Sequence, residues 1–277
     1  MTRLPNFLYI GPDKAGSSWL HEVLLAHPQV YMTPAKDLYF FDRYYDKGTD
    51  WYASHFEKAG DEPVVGEVCQ DYLFCASAAQ RIQETLKSPR FMVTLRDPVD
   101  RAFSSYLYSL KMGRQPGSFS EALTNRPHLL DHGRYGTGLD RFADRFGESS
   151  VHVSVFDDLQ ADPRAFVARV LEFLRIAPME LTDELLQARL PASKARSARL
   201  ARLARAAADW TREHDGAVVV GRVKRAAVVQ RLLYQPLQQR PQVEAADAAR
   251  IRAELDDELR RVEERFGVHL RRRWGWT

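Results

Sequence analysis

The chain has 277 residues, of which 45% are hydrophobic, and it carries a formal net charge of +3. This length allows one large α/β core, alone or with a helical appendage, and the small charge does not indicate nucleic acid as a partner. The two cysteines, Cys69 and Cys75, form no C-x-x-C pair and no metal-ligand spacing with histidine, so we expect reduced thiols and no metal site.

No apolar run approaches the ~20 residues of a membrane span, and the chain begins without a signal-type segment. We therefore expect a protein of the cytoplasm without a transmembrane segment. Arginine outnumbers lysine and alanine is frequent, which hints at a GC-rich bacterial genome.

Strand-like and helix-like segments alternate along the first 175 residues. The predicted strands are 7–10, 64–67, 91–95 and 151–156. The predicted helices are 18–26, 76–86, 102–112, 119–123, 138–146 and 163–174, and a further amphipathic helix is predicted at 250–266. This order is typical of a mainly parallel sheet with helices on both faces, and ligands of such sheets bind beyond the carboxyl ends of the strands.

The loop after the first predicted strand has the glycine spacing of a phosphate-binding loop. Gly11 and Gly16 fit the pattern G-x-x-x-x-G-K-[ST], but Ser17 occupies the lysine position and the only lysine is Lys14. A helix follows, with Ser17 or Ser18 as the expected N-cap. Backbone N–H groups at the start of that helix can bind an anion, so the loop predicts a phosphate ester as the ligand. Without a lysine after Gly16, the loop does not specifically indicate ATP. The alternative is a glycine turn without a ligand.

A second polar segment follows the third predicted strand. Arg96 directly follows that strand, and Ser104 lies about two turns into the next helix. A guanidinium can bind a phosphate with two parallel hydrogen bonds, and a serine hydroxyl adds a neutral donor. The alternative is a structural arginine that pairs with Asp97 or Asp100. Together with the first loop, this segment predicts two phosphate groups at adjacent strand ends.

Short segments spread over nearly the whole chain occur in an order typical of one enzyme family. They are Lys14-Ala15-Gly16-Ser17-Ser18-Trp19, His27-Pro28, Lys36-Asp37-Leu38-Tyr39-Phe40-Phe41, Gly66-Glu67-Val68-Cys69-Gln70-Asp71-Tyr72-Leu73, Arg96 with Ser104, Gly133-Arg134-Tyr135, Asp157-Asp158-Leu159 with Asp162-Pro163, and Arg265-Phe266-Gly267 through Trp274. On these segments the chain resembles the sulfotransferases that use 3′-phosphoadenosine 5′-phosphosulfate (PAPS). It is most similar to the heparan-sulfate-type branch and its bacterial relatives, and residues 176–240 carry the weakest resemblance.

The resemblance implies a P-loop-type three-layer α/β sandwich with a central, mainly parallel sheet and a helical C-terminal region. We expect a single domain over residues 1–277. Its parts would be a nucleotide-binding core at 1–175, a basic helical lid or acceptor-binding insertion at 176–240, and a C-terminal helix and tail at 241–277. The arginine-rich stretch 194–240 is either a basic rim that attracts an anion or the solvated face of amphipathic helices.

The resemblance also implies binding roles, with PAPS as co-substrate, adenosine 3′,5′-bisphosphate (PAP) as product and no metal. Lys14 would neutralise charge as the sulfur–oxygen bond breaks, and Arg96 with Ser104 would bind the 3′-phosphate. The implied nucleotide-binding residues are Lys14, Ala15, Gly16, Ser17, Ser18, Trp19, Arg96, Ser104 and, by a weaker match, Arg196 and Ser197.

A hydroxyl acceptor loses its proton during transfer, so a general base is expected near Lys14. In the heparan-sulfate branch a glutamate precedes the paired aromatic residues, and the same position here is Asp37, one methylene shorter. Glu67 is the other carboxylate expected at this edge, where it is the base, orients Lys36 or Lys14, or forms a buried pair. His27 is expected to be structural.

Two other functions are compatible with the sequence. Asp157 and Asp158 follow the strand at 151–156, as a metal-binding carboxylate does in a P-loop kinase or triphosphatase. Cys69-Gln70 stands where the family has Ser/Thr-Pro, and Asp37 stands where the family has glutamate. Because of these departures, a noncatalytic nucleotide-binding module is the other alternative. The acceptor, whether a small molecule, a lipid or a sugar, is not determined. Several aromatic residues either line a cleft or belong to the core: Tyr39, Phe40, Tyr72, Phe74, Tyr106, Tyr108 and Tyr135.

Overall fold

The computed structural model describes residues 3–112, 117–187, 193–195, 234–236 and 242–276, and for 193–195 and 234–236 it describes the backbone only. The chain divides into two compact units. The first comprises Met1–Asp97, Arg134–Arg189 and Asp256–Thr277, and the second comprises Pro98–Gly133 and Leu190–Leu255. The predicted sections 176–240 and 194–240 lie largely outside the described residues, and so do Arg196 and Ser197.

A five-stranded parallel sheet forms the centre of the first unit. Its strands are β1 (Phe7–Gly11), β2 (Val30–Met32), β3 (Val64–Val68), β4 (Arg90–Leu95) and β5 (Val151–Val155), in the order β2-β3-β1-β4-β5. The chain builds β2 and β3 on one side of β1 and then crosses to β4 on the other side. This reversal makes the carboxyl end of β1, next to β4, the expected ligand position.

Twelve α-helices are described. They are α1 (Ser17–Leu25), α2 (Gly48–Ser54), α3 (Ala78–Thr85), α4 (Pro98–Lys111), α5 (Phe119–Asn125), α6 (His128–Asp131), α7 (Tyr135–Phe146), α8 (Phe156–Ala161), α9 (Pro163–Leu174), α10 (Asp183–Gln187), α11 (Ala245–Phe266) and α12 (Leu270–Trp274). Short 3-10 turns occur at Tyr45–Lys47, Tyr72–Phe74 and Glu148–Ser150, and β6 (Ser193–Ala195) pairs antiparallel with β7 (Tyr234–Pro236). None of the described helices is both long enough and apolar enough to cross a membrane.

The sheet separates two apolar clusters in the first unit. Leu8 and Ile10 of β1 belong to one cluster, whereas Phe7 and Tyr9 belong to the other. Successive side chains of a strand point to opposite faces, so one buried strand supplies both layers. The predicted three-layer sandwich with a parallel sheet is confirmed.

The sequence missed some elements and misjudged several ends. β2 has three residues, too few for a periodic pattern, and α2 begins at a glycine, which disfavours a helix prediction. α4 begins at Pro98 rather than at 102, because proline suits the first turn of a helix. The strand predicted to reach 156 ends at Val155, and Phe156 begins α8.

Candidate active site

The loop after β1 brings Lys14 to the carboxyl end of the sheet. Lys14 has a φ of 63°, a left-handed conformation that is uncommon for residues other than glycine and is often found at functional sites. Gly16, with a φ of 88°, is the N-cap of α1 and has no side-chain cap. The predicted capping by Ser17 or Ser18 is therefore wrong, since both serines lie inside the first turn. The positive φ favours glycine, and a Cβ on Gly16 would also lie 2.5 Å from Leu159 Cδ2, which would have to move.

The two serine hydroxyls of this turn contact a lysine from another segment. Lys36 Nζ donates to Ser17 Oγ at 2.9 Å and to Ser18 Oγ at 3.0 Å. Burial lowers the pKa of the Lys36 ammonium, and the nearby Asp37 carboxylate opposes that effect. The sequence predicts at most that Glu67 orients Lys36, whereas the hydrogen-bond partners of Lys36 are the two serine hydroxyls.

Arg96 connects the loop after β4 to the loop after β1. Its Nη1 donates to the Lys14 carbonyl oxygen at 2.9 Å, and its guanidinium carbon lies 4.9 Å from the centre of the Phe156 ring. The Tyr135 hydroxyl donates to the Arg96 carbonyl oxygen at 2.8 Å. Two of the residues predicted to bind phosphate, Lys14 and Arg96, are thus neighbours at adjacent strand ends.

Ser104 lies on α4, in the second unit. The residue is half-buried, whereas the adjacent Ser105 is 7% exposed. Arg101 of the same helix is wholly buried and donates to the Leu129 carbonyl oxygen. Arg101 therefore supports the packing of the second unit, while the 3′-phosphate contact of Ser104 stays a prediction.

Asp37 is half-buried and held by its backbone in an unusual conformation. Its φ is 61°, and its N–H donates to the Val68 carbonyl oxygen at 2.7 Å at the end of β3. The Gln70 N–H approaches Asp37 Oδ1 at 3.4 Å. A proline at position 70, as in the family pattern, has no such donor. The two departures from the pattern, Asp37 and Gln70, therefore contact each other.

Glu67 is wholly buried and hydrogen-bonded through both carboxylate oxygens. Tyr52 donates to Oε2 at 2.7 Å and Tyr72 to Oε1 at 2.9 Å. Burial raises the pKa of Glu67 to about 7, although both tyrosine hydrogen bonds act to lower it. This environment suits the alternative of a buried pair, and it places Glu67 among aromatic side chains rather than at the rim.

The aromatic residues divide between the core and the rim. Phe40, Tyr72 and Tyr135 are wholly buried, and Phe40 stacks on Tyr52 with ring centres 4.4 Å apart. At the rim, the Arg43 guanidinium lies 3.9 Å above the Tyr39 ring. The core interpretation therefore holds for the first three, whereas Tyr39 is half-buried beside Asp37.

Two other predicted residues, Trp19 and His27, have structural partners. The Trp19 indole is buried and donates to the Leu185 carbonyl oxygen at 2.6 Å, so any nucleotide contact of Trp19 is left to its backbone. His27 is buried, with Nε2 at 2.9 Å from the Ala177 carbonyl oxygen, as expected of a structural histidine. Cys69 and Cys75 are free thiols.

The carboxylates proposed as metal ligands in the kinase alternative are paired within the first unit. Trp274 Nε1 donates to Asp157 Oδ2 at 3.1 Å, and Arg273 Nη2 donates to Asp158 Oδ1 at 2.5 Å. Over the described part of the chain, no three His, Cys, Asp or Glu side chains group as metal ligands do. Both aspartates therefore hold the C-terminal tail against α8.

Comparisons with known proteins agree with this arrangement. A family model described as "Sulfotransferase domain" matches residues 4–211. The membrane-associated sulfotransferase kil1 of Dictyostelium discoideum is 37% identical over 111 residues, which cover 39% of this chain and 24% of that protein. The human heparan sulfate glucosamine 3-O-sulfotransferase 3B1 is 32% identical over 182 residues, covering 62% of this chain and 46% of that protein.

A crystal structure supports the same relationship. The sulfotransferase from Alicyclobacillus acidocaldarius superposes with a TM-score of 0.60 at 28% identity, over 66% of this chain and 88% of that chain. The chain spans less than half the length of the two curated relatives. Since the family model covers most of the sequence, the chain belongs to the sulfotransferase family.

Proposed function

We propose that the protein transfers the sulfuryl group of PAPS to an acceptor hydroxyl and releases PAP. The observation that carries this proposal is the hydrogen bond from Arg96 to the Lys14 carbonyl oxygen. It joins the two segments that the family pattern assigns to the two phosphate-bearing ends of the nucleotide. Their donors are an ammonium, a guanidinium and the first turn of α1, which together fit a strongly anionic ligand.

The 5′-phosphosulfate would bind at the start of α1. No side chain caps this helix, so its first N–H groups are available to anionic oxygens. Ala15 to Ser18 supply these backbone donors, and Lys14 supplies the charge. Arg96 is the proposed contact of the 3′-phosphate. Ser104 is proposed to bind the same phosphate, because Arg96 and Ser104 have the spacing of the family pattern.

The reaction is an in-line displacement at sulfur. The acceptor oxygen forms a bond to sulfur while the bond to the bridging oxygen of the 5′-phosphate breaks, and that electron pair leaves with PAP. Lys14 neutralises the charge that develops on the leaving oxygen, an effect worth several kcal/mol in comparable sites. The acceptor proton passes to a carboxylate.

Asp37 is the proposed general base. Its carboxylate is half-buried and has a single long hydrogen bond from Gln70 N–H, which leaves lone pairs for an acceptor proton. Glu67 is wholly buried and already accepts two tyrosine hydroxyls. We therefore assign Glu67 to support of the site rather than to proton transfer.

The acceptor is proposed to be a small molecule, a lipid or a sugar, and the setting bacterial and cytoplasmic. Tyr39, stacked under Arg43 beside Asp37, offers an aromatic surface of the kind that binds sugars and other metabolites. The alternative is transfer to an amine, because an acceptor nitrogen can attack the same sulfur atom. A panel of hydroxyl and amine acceptors with radiolabelled PAPS separates the two.

Calorimetry with PAP and with ATP plus Mg²⁺ tests the nucleotide. We expect PAP to bind and ATP to bind much more weakly. Radiolabelled PAPS should transfer its label to acceptors with the native protein and not with Lys14→Ala. Binding of ATP in preference to PAP would overturn the proposal, and so would a Lys14→Ala variant with native turnover.

A further inference from the structure

Lys36 makes contacts that the proposed reaction does not yet explain. It follows β2 in the chain, yet its ammonium group reaches both hydroxyls in the first turn of α1. In the described part of the chain, no carboxylate lies within ion-pair distance of Lys36. Its neighbour Asp37 accepts instead from the Gln70 N–H. The half-buried Lys36 ammonium thus donates its hydrogen bonds to two neutral hydroxyl oxygens.

This placement is electrostatically unfavourable without an anion. The N-terminus of a helix carries partial positive charge, and a lysine there is disfavoured unless a negative group lies between them. Removing an ammonium from water also costs free energy, which the nearby Asp37 carboxylate offsets only in part because it forms no ion pair with Lys36. An anionic ligand at the start of α1 would relieve both effects.

The hydrogen bonds also fix the direction of the serine protons. An ammonium has three N–H donors, and Lys36 uses two of them on Ser17 and Ser18. A hydroxyl that accepts from an ammonium keeps its own proton for another acceptor. Both serines are thereby set up as donors, and the third N–H of Lys36 remains for a ligand oxygen.

We propose that Lys36 binds and positions the phosphosulfate end of the donor nucleotide. Its third N–H contacts an anionic oxygen there, and through Ser17 and Ser18 it directs two hydroxyl protons to the same group. The inference rests on the proposed function, since it names a further residue of the donor site. Lys36 then distinguishes the 5′ end of the nucleotide from the 3′ end, where Arg96 is proposed to bind.

Nucleotides that differ at one end test this assignment. PAP carries both phosphates, whereas adenosine 3′-phosphate lacks the 5′ group. Displacement calorimetry measures the affinities for both nucleotides, even when one of them binds weakly. We expect Lys36→Met to weaken PAP binding about 10- to 100-fold, the usual range for charge-assisted hydrogen bonds, without changing the affinity for adenosine 3′-phosphate. Lys36→Arg should retain part of the affinity, and Lys87→Met, at an exposed lysine, should retain all of it.

A purely structural role gives a different result. If Lys36 only held α1 to the segment after β2, Lys36→Met would weaken both nucleotides equally or leave both unchanged, and either result overturns the inference. Native protein that binds neither nucleotide would instead refute the proposed function. The two failures are therefore distinguishable.

A double-mutant cycle tests the path through the serines. If Lys36 acts through their hydroxyls, Lys36→Met should cost less PAP affinity when Ser17→Ala and Ser18→Ala are already present. Fully additive losses would contradict positioning through the serines. Thermal unfolding of each variant, monitored in parallel, should stay close to that of the native protein, because the contacts lie at the edge of the fold.

Discussion

The Tyr72 hydroxyl donates a hydrogen bond of 2.9 Å to the Glu67 carboxylate in the interior of the first unit. The same hydroxyl accepts from the Phe40 N–H at 3.0 Å. Glu67 is thereby linked, through one tyrosine, to the backbone three residues beyond Asp37. The buried carboxylate supports the segment that presents the proposed base.

Removing the Tyr72 hydroxyl should destabilise the protein. Tyr72→Phe leaves the buried Phe40 N–H and one Glu67 oxygen without this partner, and an unsatisfied buried group costs about 1–3 kcal/mol. Urea denaturation measures the loss. Tyr44→Phe, at a half-buried tyrosine outside this cluster, should have little effect, and equal stability of the two variants would contradict the role of Tyr72.

Glu67 should make stability fall as the pH rises. Its pKa is raised from 4.5 to about 7 by burial. Below pH 4.5 the carboxyl is protonated in both states, so its full contribution is present. Between 4.5 and 7 the unfolded chain releases the proton while the folded protein retains it, which favours unfolding by on the order of 3 kcal/mol at the upper end.

Urea denaturation of the native protein and Glu67→Gln across this pH range checks the effect. The native protein should lose stability relative to Glu67→Gln between pH 4.5 and pH 7, since the amide does not titrate. Asp42, whose pKa burial raises to about 6, contributes a loss of the same sign in both proteins, so the difference between the two profiles reports mainly on Glu67. Parallel pH profiles would show that Glu67 ionises in its ordinary range.

Asp37→Asn should abolish transfer while PAP still binds. Loss of a general base lowers turnover by about 10²–10⁴-fold. Asparagine tolerates the left-handed backbone at position 37, so the change tests chemistry rather than folding. Asp37→Glu, which restores the family residue, should be more active than Asp37→Asn. Native turnover in Asp37→Asn together with inactivity in Glu67→Gln would transfer the base role to Glu67.

Arg96→Lys should weaken PAP binding by about 10-fold or more, because an ammonium cannot keep the Lys14 carbonyl and also bind a phosphate with two parallel hydrogen bonds. Calorimetry measures the change. Arg145→Lys, at an exposed arginine of α7, is the matched control. If Arg96→Lys bound PAP with unchanged affinity, the guanidinium would have only a structural role and would not bind the phosphate.

Ser104→Ala should lower the affinity for PAP about 10-fold and leave that for adenosine 5′-phosphate unchanged, because only PAP carries the 3′-phosphate that this hydroxyl is proposed to bind. The adjacent Ser105→Ala, at a buried serine of the same helix, should not discriminate between the two nucleotides. Equal effects of Ser104→Ala on both nucleotides would remove Ser104 from the 3′-phosphate site.

Much of the site was predictable because its residues follow strands. Buried parallel strands are nearly continuous apolar runs, and polar residues directly after them lie at one edge of the sheet. Lys14 after β1 and Arg96 after β4 were found in this way, and the hydrogen bond between them confirms the predicted proximity. The ordered family segments then identified the chemistry that these residues suggest.

Other features depend on contacts between distant segments. Lys36 contacts Ser17 and Ser18, which lie 19 and 18 positions away in the chain. A periodic pattern of hydrophobic residues does not predict such a contact. Gly16, the N-cap of α1, lies against Leu159, a residue more than 140 positions away in the chain, and the sequence does not reveal this contact.

The parallel α/β sandwich, the family and the strand ends of the proposed site can be predicted from patterns along the chain. The folded structure was needed to show that Asp37 lies near the rim and that tyrosines enclose Glu67. Alternation and hydrophobic runs depend on neighbours along the chain, whereas burial and hydrogen-bond partners depend on how the finished sheet brings separate segments together.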